Sequence, residues 1–108
     1  MTVSEICTAI GAKSLCLPQG DREVVGAYTG DLLSWVMGRA DADCAWVTIM
    51  SNVNVVAVAS LADVACVILA EDVTLDDDAL DKAQTQGINV LRSSLTSYEV
   101  CARLASLI

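Results

Sequence analysis

Apolar and polar residues in this chain recur with two periods, and the switches between them mark out short strands and helices. Thr2-Val3-Ser4-Glu5 is a capping-box pattern, followed by Ile6 and Ile10 one turn apart and by Gly11 as a stop, which predicts a short first helix. Lys13 to Leu17 reads as a strand, and Pro18-Gln19-Gly20 has the chemistry of a tight turn, because proline presets φ at its first central position. Val24 to Tyr28 reads as a second strand. Asp31 has the side chain to cap a helix carrying Leu32, Leu33, Val36 and Met37 on adjoining turns, with Gly38 placed to end it in a left-handed conformation.

Ala45 to Ile49 reads as the next strand. Asn52 or Asn54 then caps a helix whose body, Val55 to Leu61, is apolar all round and is expected to pack on more than one side. Asp63 separates it from the strand Ala65 to Leu69. Val53 to Ala70 approaches the character of a membrane span, which needs about 20 predominantly apolar residues. Asn54, Ser60 and Asp63 interrupt it, so we read a buried helix followed by a buried strand. Thr74 precedes a helix with Leu75, Ala79, Leu80 and Ala83 on one face, Asp78 paired with Lys82 on the other, and Gly87 as its end. Ile88 to Leu91 is a short strand, and Thr96 to Glu99 is a second capping box, opening a helix with Val100, Cys101, Leu104 and Leu107 facing inward. From Val24 onward strands and helices alternate, which by right-handed crossover predicts one α/β domain over residues 1–108, a mostly parallel sheet with helices packed on it.

Composition sharpens this picture. A hydrophobic fraction of 55% with 19% charged residues is too apolar for a disordered chain. Aromatic residues are only 4% and Phe is absent, so the core must be aliphatic, as suits parallel strands covered by helices. With 14 acidic against six basic residues the net charge is −8, which disfavours nucleic acid and anionic lipid as partners. Glu71, Asp72, Asp76, Asp77, Asp78 and Asp81 concentrate the acids at a solvated helix start and lack the Asp-x-Asp-x-Asp-Gly order of a calcium loop. Five cysteines without a Cys-x-x-Cys pair, and no histidine, disfavour structural zinc, and neither a metal nor another cofactor is expected. Met1-Thr2-Val3-Ser4-Glu5 has neither a basic nor an apolar leader segment, so a cytoplasmic setting with reduced thiols is expected, the cysteines serving as small buried hydrophobes.

Catalytic constellations are scarce. Without histidine, Ser-His-Asp and Cys-His arrangements are excluded, and no Gly-x-x-x-x-Gly-Lys-Ser/Thr, Gly-x-Gly-x-x-Gly or Gly-x-Ser-x-Gly string occurs. Asp41 and Asp43 read as surface charge in a loop. No enzyme is expected. Ligands of open α/β sheets lie beyond the carboxyl ends of the strands, which singles out four loops and their candidate binding residues: Gly30 and Asp31; Ser51, Asn52 and Asn54; Asp72; and Arg92, Ser93 and Ser94. The same residue types also suit helix capping and turns. Arg92 beside two hydroxyls would suit a phosphate or a carboxylate.

Asp21-Arg22-Glu23-Val24-Val25-Gly26-Ala27-Tyr28, Asp31-Leu32-Leu33-Ser34-Trp35-Val36-Met37, Trp46-Val47-Thr48-Ile49 and Asn54-Val55-Val56-Ala57-Val58-Ala59 resemble the small stand-alone DRTGG-domain proteins, and the resemblance spans nearly the whole chain. It implies a fold similar to the N-terminal domain of HPr kinase/phosphorylase, without the phosphate-binding loop of the kinase half. Such domains also occur joined to CBS-domain pairs and within some phosphotransacetylases, settings that imply a regulatory, ligand-sensing part. Where the wider family carries Asp-Arg before the apolar helix and Gly-Gly after the next strand, this chain reads Ser51-Asn52-Val53-Asn54 and Ala70-Glu71-Asp72.

The leading expectation is therefore a non-catalytic regulatory module that binds a small ligand such as a nucleotide, with Ser51, Asn52, Asp72 and Ser93 as direct contacts. The alternative is an interaction or assembly subunit. The resemblance implies a redox enzyme of hydrogenase type as its partner, and a homodimer, with Trp35 and Trp46 serving either as anchors or as core.

Overall fold

Both capping boxes close as the sequence dictates. Thr2 Oγ1 accepts from the Glu5 amide at 3.2 Å while Glu5 Oε1 accepts from the Thr2 amide at 2.9 Å, and Thr96 and Glu99 repeat the exchange at 3.1 Å each way. They open the first and last helices of a computed structural model that describes Met1–Ile108. In chain order the elements are α1 (Val3–Ala9), β1 (Lys13–Cys16), β2 (Ala27–Thr29), α2 (Leu33–Arg39), β3 (Ala45–Thr48), α3 (Val53–Ala62), β4 (Cys66–Leu69), α4 (Asp77–Gln86), β5 (Val90–Arg92) and α5 (Ser97–Ala105).

The strands form one sheet in the order β1-β5-β4-β3-β2. β2, β3, β4 and β5 run parallel, and β1 lies antiparallel against β5. Alternate residues of each central strand serve opposite faces. Trp46, Val67, Leu69 and Val90 pack with Val36 of α2, Val55, Val56 and Ala59 of α3, and Ala79 and Ala83 of α4. Ala45, Val47, Cys66, Ile68 and Leu91 pack against Val3 and Ile6 of α1 and Val100 and Leu104 of α5 on the other side. Covered on both faces, every residue of β3 and β4 is buried, which explains the apolar runs over residues 45–47 and 66–69. The segment that approaches a membrane span is the ten-residue α3 followed by β4, and no helix is long and apolar enough to cross a membrane.

Several local expectations are corrected. The second strand is Ala27–Thr29, not Val24–Tyr28, because its partner β3 starts only at Ala45; the Val24 and Val25 amides donate to Met1 and Asp43 carbonyls instead. Gly38 lies inside α2, which ends at Ala40 in an extended conformation and so needs no left-handed residue. Gly11 and Gly87, by contrast, do take positive φ after their helices. α4 starts at Asp77 with Asp76 at its N-cap position, so Leu75 lies ahead of the helix instead of within it, yet still reaches the core. Asp78 and Lys82 form no ion pair; Asp78 Oδ1 accepts from the Ala79 amide. Leu61 is 71% exposed, so α3 has a solvent side after all.

The amino-end edge of the sheet is bolted by long-range polar contacts. Arg22 donates to Asp43 Oδ1 at 2.8 and 3.0 Å and to the Asp63 carbonyl and carboxylate at 2.8 and 2.9 Å. Burial works against the Arg22 charge, but the hydrogen bonds to Asp43 and Asp63 more than offset it and hold its pKa above the ordinary value. These bonds tie the loops before β2, β3 and β4 together.

Candidate functional site

The four parallel strands end side by side at Thr29, Thr48, Leu69 and Arg92, so the loops that follow them share the opposite edge of the sheet. Over β2 and β3 these loops are closed by their own bonds. Thr48 is 1% exposed and its hydroxyl needs an acceptor; Asp31 Oδ1 supplies it at 2.8 Å and also accepts from the Ile49 amide at 3.0 Å. Asp31 therefore does not cap α2, whose N-cap position is Leu32 and which has no side-chain cap. The Gly30 carbonyl accepts from Trp46 Nε1 at 2.9 Å. Asn52 caps α3, its Oδ1 accepting from the Asn54 amide at 3.0 Å, and the Ser51 carbonyl accepts from the Asp76 amide at 3.1 Å.

Over β4 and β5 the arrangement differs. Glu71 and Asp72 both adopt left-handed φ, at 59° and 61°. This turns their amides onto the Leu95 and Ser93 carbonyls, at 2.8 and 2.9 Å. Arg92 clasps the same turn, donating Nη2 to the Asp72 carbonyl at 2.9 Å and meeting the Asp72 carboxylate at 3.1 Å. Ser93 is buried, its Oγ accepting from the Leu95 amide at 3.1 Å. Ser94 is exposed.

Of the sequence-predicted residues, Asp72, Arg92 and Ser94 thus meet at one cavity of about 170 Å³, completed by Gly11 and Lys13 and lined by no apolar residue. Gly30, Asp31, Ser51, Asn52 and Asn54 lie outside it, and Ser93, which is buried, does not line it either. Gly11 and Lys13 carry no motif, and they arrive because β1 runs antiparallel and starts at this edge. A second cavity of about 150 Å³ sits at the far edge, between β2 and the loop holding Asp41 and Ala42. No group of three or more His, Cys, Asp or Glu side chains is placed to hold a metal.

The thiols add no second site. Burial raises the pKa of Cys44 to about 11, with the Asp41 charge adding to it, and that of Cys66 to about 12, with Cys44 and Cys7 adding. Thiols in the unfolded chain ionise from about pH 8.5. Stability from these two groups is therefore full below that pH and falls as pH rises toward their folded values. By about pH 10, about 1.5 pH units above the unfolded value, we expect a loss of roughly 2 kcal/mol per thiol. Thermal melts from about pH 8 to about pH 10 check this: a Cys44→Ala/Cys66→Ala double variant should fall less steeply than wild type.

Comparison with known proteins bears on the fold. No family model matches the chain, and no curated protein matches it. A crystal structure of the CBS and DRTGG domains of the regulatory region of Clostridium perfringens pyrophosphatase, complexed with the activator diadenosine tetraphosphate, superposes with a TM-score of 0.76 at 10% identity. The match covers 95% of this chain and 45% of that one, so the chain spans less than half of its structural neighbour. The architecture is thus an α/β fold shared with a CBS and DRTGG regulatory region, in keeping with the resemblance noted in the sequence.

Proposed function

We propose that this protein is a non-catalytic regulatory module that senses a small molecule of nucleotide type at the carboxyl-end edge of its sheet. The observation that carries the proposal is the wholly polar cavity where Asp72, Arg92 and Ser94 converge beside Lys13. The shared fold supports it, since the pyrophosphatase region is regulatory and its structure holds a nucleotide activator. A reducing cytoplasm suits the five free thiols. Titration calorimetry and thermal shift against adenine and guanine nucleotides, diadenosine tetraphosphate among them, test it. Saturable heat and a rise in melting temperature that grows with ligand concentration are expected, a ligand at about 100 times its Kd adding about 2.7 kcal/mol. No response at millimolar nucleotide would sink the sensing function.

A second reading, association through an apolar face, is favoured by one observation. Leu32 at the N-cap of α2 and Trp35 one turn on are 57% and 51% exposed, with the Arg39 guanidinium, a further turn on, 3.7 Å from the Trp35 ring centre. Aromatic and Arg side chains of this kind anchor interfaces. In this reading the face joins a second copy of the chain, or a redox enzyme. Trp35→Ser should then leave the melting temperature of the isolated chain within a few degrees of wild type. It should also weaken self-association in sedimentation experiments by about tenfold or more. A wild-type chain that sediments as a monomer at high concentration removes the homodimer.

A further inference from the structure

The cavity beside Arg92 holds more donors than the chain uses. Lys13 and Arg92 are direct cross-strand partners, so their side chains share one face of the sheet. Like charges placed opposite each other destabilise a strand pair. Arg92 is compensated by Asp72 at 3.1 Å, whereas Lys13 meets no carboxylate at all, in a chain with 14 acidic residues and only six basic ones. Arg92 spends Nε and Nη2 on Asp72, which leaves Nη1 free. The Ser94 hydroxyl and amide likewise bond to no other group of the chain. Lys13 Nζ, Arg92 Nη1 and Ser94 Oγ are three donors with unspent capacity around a single cavity that carries net positive charge despite the acidic surroundings.

We infer that Lys13, Arg92 and Ser94 form a binding site for a phosphoryl oxyanion. A tetrahedral anion placed between the two cations relieves their repulsion and takes up the unused donors, and charge-assisted hydrogen bonds of this kind are the strong ones. Lys serves as a point charge and the Arg fork sets direction. At about 170 Å³ the cavity is well below the roughly 300–1,000 Å³ of pockets that enclose a whole drug-sized ligand. It takes a phosphoryl group or two, and the rest of the molecule extends outward over the β4 and β5 loops. This inference rests on the sensing function in its choice of edge, but it names the anion independently of any base or sugar.

The test uses inorganic pyrophosphate and the adenine nucleotide panel, titrated calorimetrically at low ionic strength into wild type, Lys13→Gln and Ser94→Ala. Lys13 is exposed and bonds to nothing through its side chain, so Lys13→Gln should fold like wild type. Wild type is expected to bind pyrophosphate saturably. Lys13→Gln should weaken binding about tenfold or more, and its affinity should also respond less to added salt, because one cation is gone. Ser94→Ala should weaken binding by less. Pyrophosphate affinity unchanged in Lys13→Gln overturns the oxyanion site. If nucleotides bind wild type and Lys13→Gln equally, the site is overturned while the sensing function stands. Pyrophosphate binding that depends on Lys13, with no nucleotide binding, supports the site and sinks the nucleotide sensor; no binding of either sinks both.

Discussion

Trp46→Ala should destabilise the protein by about 3–5 kcal/mol, the range for deleting a large aromatic side chain from a packed core. Trp46 is 0% exposed, sits in β3, the second strand of the sheet counted from the β2 edge, and packs under α2 and α3. In a domain with about 5–15 kcal/mol to lose, that change leaves it near the edge of folding. The melting temperature should fall by roughly 12 °C or more, at about 4–8 °C per kcal/mol for a domain of this size. Trp46→Phe separates volume from hydrogen bonding. It retains most of the buried ring but leaves the Gly30 carbonyl without its 2.9 Å donor, and a loss nearer 1–2 kcal/mol, about one hydrogen bond plus a small void, is expected. Urea unfolding of the three proteins gives the order directly. A loss below about 1 kcal/mol in Trp46→Ala would mean that this face of the sheet is not the packed layer described.

The contrast between the two tryptophans shows what local pattern conveys. Trp46 lies in the apolar run of residues 45–47 and is core, while Trp35 lies on a helix beside Arg39 and is half-exposed, yet the sequence left both open as anchor or core. Signals spanning about one helical turn were legible: the two capping boxes, the left-handed Gly87, the split at Asp63 between α3 and β4, and the alternation that yields a parallel sheet. Contacts that close across the chain were not. Arg22 meets partners 21 and 41 residues away, and Gln19 meets Asn89 at a separation of 70. Asp31 looked like a helix cap because nothing local reveals that Thr48, 17 residues on, needs its carboxylate. The candidate site was half legible for the same reason. Asp72 and Ser94 follow parallel strands and Arg92 ends one, where the carboxyl-end rule points, whereas Lys13 opens a strand. Only the antiparallel pairing of β1 with β5, a long-range fact, carries it to that edge.

Asn89 illustrates the cost of such hidden contacts, and Asn89→Leu should destabilise the protein by about 3 kcal/mol although it lengthens an apolar strand. Asn89 is 2% exposed, and its Oδ1 accepts from the Gln19 amide at 2.9 Å while Nδ2 donates to the Gln19 and Ala65 carbonyls at 2.8 and 2.9 Å. It clamps the β1–β2 loop onto the start of β4. Leucine matches the volume but leaves an amide and a carbonyl without these partners, each costing about 1–3 kcal/mol when buried. The Gln19 carbonyl suffers least, because the Arg22 amide still donates to it at 3.1 Å. Asn89→Asp discriminates further. The introduced carboxyl keeps the acceptor for Gln19, but when ionised it faces the two carbonyls without a donor, so its folded pKa should rise above the usual value of about 3.9. A raised acid pKa means the unfolded state ionises first, so the deficit relative to wild type should be small at about pH 3 and grow as pH rises toward neutrality. Paired unfolding curves across that range give the sign. A deficit independent of pH would show that the carboxylate reaches water, and that the clamp is looser than its three bonds imply.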